Sequence, residues 1–126
     1  MLRSLALGMM VALSLAASGP YSAARAESSI AGRYTYTGTD TDGSAYDGAG
    51  EVVVTKAPSG AYEIVYDGGA YTGVGQVTGD TFSFASMAEG KNSISIGTIR
   101  PDGSIVTRWW RYKDKGSKGT ETWVRK

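Results

Sequence analysis

From Gly32 onward the chain is punctuated by closely spaced turn signals, and the runs between them alternate. The punctuation is Asp40-Thr41-Asp42-Gly43, Pro58-Ser59-Gly60, Gly68-Gly69, Gly79-Asp80, Glu89-Gly90-Lys91-Asn92, Pro101-Asp102-Gly103 and a polar stretch from Asp114 to Gly119. Glycine and aspartate favour such turns because they tolerate backbone conformations that other residues avoid. The runs are rich in Val, Ile, Thr, Tyr, Phe and Trp, and no apolar period of about 3.6 residues marks a helix. Eight strands are predicted: Gly32–Thr37, Ala45–Lys56, Ala61–Asp67, Ala70–Thr78, Thr81–Ser86, Ser93–Arg100, Ser104–Tyr112 and Thr120–Arg125. Every connection is short. Short loops join antiparallel neighbours, whereas parallel strands need long crossovers. The expected fold is therefore all-β, an eight-stranded antiparallel up-and-down meander closed into a barrel, with a two-sheet sandwich of the same strands as second choice. Closure removes the exposed edges of the sheet. An eight-stranded interior is either filled by side chains or holds one small ligand.

One pattern repeats. Tyr46-x-Gly48-x-Gly50-x-Val52 returns as Tyr71-x-Gly73-x-Gly75-x-Val77. Alternate residues of a strand share a face, and glycines on one face permit the tight bending that barrel closure requires. The alternative is a gap kept free for a ligand, which brings Tyr46 and Tyr71 into the candidate site. By the same alternation, Tyr62, Ile64 and Tyr66, Phe82 and Phe84, Ile94 and Ile96, and Val52 and Val54 are expected to point inward.

Residues 1–26 read as a cleavable signal peptide. Arg3 lies in a short basic start, Leu5 to Ala17 is an uncharged apolar run, and Ala24 and Ala26 fit the small-residue rule for cleavage after Ala26. The apolar run is shorter than the roughly 20 residues that a membrane span needs. The mature chain is then one β-barrel domain, residues 27–126, expected in the periplasm or outside the cell, without a membrane span and as a monomer. It has no cysteine, so no disulfide supports its small core.

Histidine is absent as well. This excludes zinc sites built on imidazole or thiolate and the Ser-His-Asp and Cys-His nucleophile systems. No catalytic residues are assigned, and neither an enzymatic role nor a cofactor nor a metal is expected. Gly73-Val74-Gly75 lacks the third glycine and the helix of a dinucleotide fingerprint. Asp40-Thr41-Asp42-Gly43 does not complete a calcium loop and suits an Asx turn. Charge is uneven: residues 27 to 99 carry three basic and nine acidic groups, and residues 100 to 126 carry eight and three. The simplest meaning is attraction between the two parts within one fold, not a basic face for nucleic acid, which is not expected as a partner.

The richest cluster is Trp109, Trp110, Tyr112 and Trp123 interleaved with Arg108, Arg111 and Arg125. Two registers fit the final hairpin. One sets Trp110 opposite Glu121 and Arg108 opposite Trp123. The other sets Arg111 opposite Glu121 and Trp109 opposite Trp123. The first carries more large apolar side chains on one face and is preferred. It predicts a buried Arg108 paired with Glu121, since a buried charge must be compensated, and an interior arginine of that kind recognises anions. The candidate ligand-binding residues are accordingly Arg108, Trp110, Glu121, Trp123, Tyr46 and Tyr71.

The ordered set Gly32-Arg33-Tyr34, Asp42-Gly43, Tyr46-x-Gly48, Tyr62-x-Ile64, Gly73-Val74-Gly75, Asp102-Gly103 and Gly119-Thr120-Glu121-Thr122-Trp123 resembles a family of small exported bacterial β-proteins, some of which carry a fibronectin-binding label by similarity. The chain also has the general look of avidin-like and lipocalin-like barrels. The functional expectation is a non-catalytic exported binding module, taking an unknown small molecule in the barrel or an extracellular or envelope protein on its face. The alternative implied by the resemblance is a structural or adhesive envelope protein.

Overall fold

The computed structural model describes residues 29–126; the predicted signal peptide lies outside the described residues. The fold is all-β. Strands β1 (Gly32–Thr39), β2 (Gly50–Lys56), β3 (Tyr62–Tyr66), β4 (Tyr71–Thr78), β5 (Thr81–Met87), β6 (Ser93–Ile99), β7 (Ile105–Arg111) and β8 (Asp114–Arg125) pair antiparallel in chain order. The pairing of β1 with β8, Tyr36 opposite Trp123 and Gly38 opposite Glu121, closes the barrel. Up-and-down order gives the barrel two distinct ends. The floor carries the β2–β3, β4–β5 and β6–β7 turns, and the mouth carries the β1–β2, β3–β4, β5–β6 and β7–β8 connections.

The interior fills because large side chains face small ones across the ladder. Phe84 pairs with Gly75 on one side and Ser95 on the other, and Phe82 pairs with Gly97. A Cβ on Gly75 would lie 2.5 Å from the Phe84 Cβ and 2.6 Å from the Ser83 carbonyl oxygen, so only glycine permits this approach. Trp123 sits at the centre, fully buried, with ring contacts to Tyr34, Tyr66, Phe82 and Phe84 at centroid distances of 5.4–5.9 Å. Ile30 plugs the floor, where its carbonyl accepts a 2.7 Å hydrogen bond from the Tyr34 hydroxyl.

Most of the expected inward residues are buried: Val52, Val54, Tyr62, Ile64, Tyr66, Phe82 and Phe84. Strand β6 is the exception. Ile94 and Ile96 are exposed, and Ser95 and Gly97 face inward. The reason is volume: β6 lies between the inward Phe82 and Phe84 of β5 and the inward Ile105, Thr107 and Trp109 of β7, and a Cβ on Gly97 would already come within 2.8 Å of the Thr107 Cγ2. The glycine echo is likewise only half a strand feature. Gly73 and Gly75 lie inside β4, whereas Tyr46 and Gly48 precede β2, with Gly48 at φ +83° in the connection.

The final hairpin takes neither expected register. Asp114 to Gly119 is strand, not loop, and pairs back to Arg111 across a two-residue turn, with a bulge between Trp109 and Arg111. Thr107 therefore lies opposite Glu121, and Ile105 opposite Trp123. The parity is that of the disfavoured register, so Trp109 turns inward and Arg108 turns to solvent. The uneven charge is partly resolved within the fold. Lys126 reaches Glu51 at 2.5 Å and Arg111 reaches Asp40 at 3.5 Å, each joining the basic C-terminal part to the acidic part before it.

Candidate functional site

At the mouth the interior residues change character. Above the aromatic floor, β1 contributes Tyr36, β3 Tyr66, β4 Tyr71, β5 Ser86, β6 Ser93 and Ser95, β7 Trp109 and Arg111, and β8 Glu121. The β1–β2 connection folds over the rim and adds Asp40, Tyr46 and Asp47; Asp67 and Lys91 complete it. Together they enclose an open cup of about 360 Å³, toward the lower end of the roughly 300–1,000 Å³ usual for small-molecule sites.

Glu121 is the deepest charged group. It is 9% exposed, and among the described residues no cation pairs with it. Three neutral donors serve it instead: Tyr66 Oη at 2.9 Å and Trp123 Nε1 at 2.9 Å to Oε1, and Tyr46 Oη at 3.0 Å to Oε2. Burial raises its pKa, against the lowering effect of these three hydrogen bonds. Burial, reinforced by the Glu121 charge, also raises the Tyr46 and Tyr66 pKa values, so both phenols stay protonated donors.

Asp67 forms a second carboxylate station. It sits in the β3–β4 turn at φ +47°, a left-handed conformation that aspartate tolerates better than most residues. From there Oδ1 accepts from the Glu51 amide at 3.0 Å, and Oδ2 accepts from the Tyr36 hydroxyl at 2.5 Å. Tyr46, Tyr36, Tyr66 and Tyr71 make a continuous edge-to-face chain, with successive centroids 6.0, 5.1 and 6.2 Å apart. Trp109 packs over Gly119, where any Cβ would strike the indole at 2.3 Å. Its Nε1 is buried and has no hydrogen-bond partner among the described residues; it lies near enough to influence the Tyr46 hydroxyl, but not in bonding geometry.

Of the sequence candidates, Glu121, Tyr46 and Tyr71 come together in the cup, and Trp123 lies directly beneath, holding Glu121. Arg108 does not join them. It is exposed on the outer face opposite Thr120, so the expected buried Arg108–Glu121 pair does not form. Trp110 also lies outside the cup, at the bulge, across from Ile94. Sequence reasoning did not single out Tyr36, Asp67 and Trp109 for the site. Tyr36 was legible, since it shares parity with Tyr34 toward the end of β1. Asp67 reads from the sequence as the last residue of the third strand, a carboxylate expected to be solvated. Asp42 is occupied as an Asx turn, its carboxylate accepting from the Ser44 amide and hydroxyl at 2.8 and 2.6 Å, a geometry that Asp102 and Ser104 repeat in the β6–β7 turn at 2.9 and 2.6 Å. Compared with known proteins, the chain matches no family model, and no curated protein is significantly similar to it.

Proposed function

We propose that the protein is a non-catalytic exported binding module that takes a small ligand in the mouth of its barrel. The supporting observation is Glu121: a carboxylate buried at the base of an open cup and held by three neutral donors, with no counter-charge among the described residues. Burying a charged group without a partner of opposite sign is costly, and a purely structural interior would fill this position with an apolar side chain, as the floor does. Export rests on the N-terminal sequence pattern. A thermal-shift screen of small polar metabolites tests the reading. A cup ligand stabilises the folded protein, and so raises the melting temperature, with the logarithm of one plus ligand concentration over its dissociation constant. A screen in which no compound shifts the wild-type protein, or in which the shift survives a blocking Ser95→Trp substitution in the cup, counts against it.

A second reading, an adhesive envelope protein as the family resemblance implies, draws on the outer face. Val74, Ala85, Ile94 and Trp110 lie side by side across β4 to β7, with Val74 and Ile94 more than half exposed. Surface plasmon resonance against fibronectin, with Ile94→Glu as the disabling variant, tests it.

A further inference from the structure

We propose that the ligand of the cup is a small organic amine, bound as its ammonium ion. The inference rests on the reading of the cup as a ligand site and concerns what enters it.

Hydrogen-bond polarity comes first. The hydroxyl protons of Tyr46 and Tyr66 are committed to Glu121, and that of Tyr36 to Asp67. A phenol whose proton is committed offers only lone pairs to anything else. Among the described residues Glu121 Oε2 accepts one hydrogen bond, from Tyr46, and so retains accepting capacity. The side of the cup formed by Glu121, Tyr46, Tyr66 and Tyr36 thus offers acceptors, which matches a ligand group that is all donor. An ammonium group carries up to three N–H donors and no acceptor.

Charge points the same way. Arg111 is paired with Asp40, which leaves Asp47, Asp67 and Glu121 against Lys91 around the cup. The four linked tyrosines add electron-rich ring faces, and a cation within about 6 Å of such a face is attracted by the ring quadrupole. Acidic groups alone would not define a site. The independent observation is Trp109: 7% exposed, lining the cup, its Nε1 without a hydrogen-bond partner among the described residues. That donor lies closed off beside the Tyr46 hydroxyl, so it reports on a ligand that engages Tyr46 and Glu121.

The test compares ligands that share a skeleton and differ in charge. Phenethylamine, phenethyl alcohol and phenylacetate are titrated into the protein by calorimetry, with putrescine and choline as further cations, and the Trp109 indole N–H is followed by NMR. The expected result is saturable binding of at least one amine, at least tenfold tighter than the alcohol, no saturable binding of phenylacetate, and a shifted Trp109 resonance. Glu121→Gln is expected to weaken the amine at least tenfold; the wild-type comparison of amine with alcohol stands even if this variant does not fold. Equal binding of alcohol and amine, or preferred binding of phenylacetate, overturns the ammonium assignment and leaves the cup a ligand site. Amine binding that leaves Trp109 unmoved places the amine elsewhere and also overturns it. If none of the five compounds binds, the ammonium assignment fails, and a metabolite screen that is also blank removes the cup reading with it.

Discussion

The two ends of the barrel are built on the same eight strands and the same inward parity, yet they differ in almost every physical respect. The floor is sealed by Ile30 and packed by Tyr34, Ile64, Phe82, Ile105 and Trp123, with rings touching rings. The mouth holds serines, tyrosine hydroxyls and a carboxylate around empty volume. Burying a large apolar side chain contributes roughly 1.5–3 kcal/mol, so stability concentrates at the floor. The mouth instead gathers its polar groups around two carboxylates, Glu121 bonded to Tyr46, Tyr66 and Trp123, and Asp67 bonded to Tyr36. Trp123 belongs to both ends: its rings pack the floor and its Nε1 supports the carboxylate of the mouth.

That division is open to direct attack. The largest effect is expected for Trp123→Ala, which should cost about 3–5 kcal/mol, as aromatic truncations in cores do, whereas Tyr71→Ala in the cup should cost clearly less. Urea denaturation of both variants measures the contrast, and equal losses would mean that the cup carries as much of the fold as the floor does.

The next effect is one of pH. Burial raises the Glu121 pKa in the folded protein above its ordinary value of 4.5. Between the unfolded and folded values, the folded protein holds a proton that the unfolded chain has released. Stability from this group is therefore complete below the unfolded value and lost as pH rises through the folded one. Asp42 and Asp102 act in the opposite sense: their hydrogen bonds to Ser44 and Ser104 lower their pKa values, so their contribution is lost as pH falls, at more acidic pH. The difference in unfolding free energy between wild type and Glu121→Gln should accordingly move in favour of the variant as pH rises from about 4.5 toward neutrality. A difference that stays flat across this range would show that Glu121 titrates alike in both states.

The smallest effect tests the floor side of the boundary. Thr107 is 1% exposed between Gly97 and Glu121 in the ladder, and its Oγ1 has no hydrogen-bond partner among the described residues. Leaving a buried hydroxyl unsatisfied costs about 1–3 kcal/mol, so Thr107→Val should stabilise the protein by about 1 kcal/mol in thermal or chemical denaturation. A loss of stability would place Thr107 functionally with the mouth.

The sequence made the barrel legible because two strong local signals, turn chemistry and alternation, agreed along nearly the whole chain. Alternation fails where both faces of a strand offer plausible side chains. Strand β6 reads Ser-Ile-Ser-Ile-Gly-Thr-Ile, and hydrophobicity alone turns Ile94 and Ile96 inward. Only the bulk already supplied by β5 and β7 reverses them, and that bulk is a property of neighbours in space. The last hairpin fails for a related reason. Its polar half, Asp114 to Gly119, carries no alternating apolar residues, yet it is paired strand. With the loop placed there, the register moved, Arg108 took the place of Trp109 on the inner face, and an anion site stood where the protein has an acidic, tyrosine-lined cup. Glu121, Tyr46 and Tyr71 line the cup all the same, because their place depends on the barrel, not on that register.

The closing seam between β1 and β8 also sets how the molecule can be held. The amide of Lys126 donates to the carbonyl of Arg33 at 3.0 Å, and Arg125 donates to the carbonyls of Ser29 and Ala31 at 2.9 and 3.1 Å. Both described ends of the chain thus leave side by side from the floor. An anchor, a bead or a fused partner attached at either end holds the cup turned outward, and a short peptide joining the two would circularise the fold without crossing its entrance.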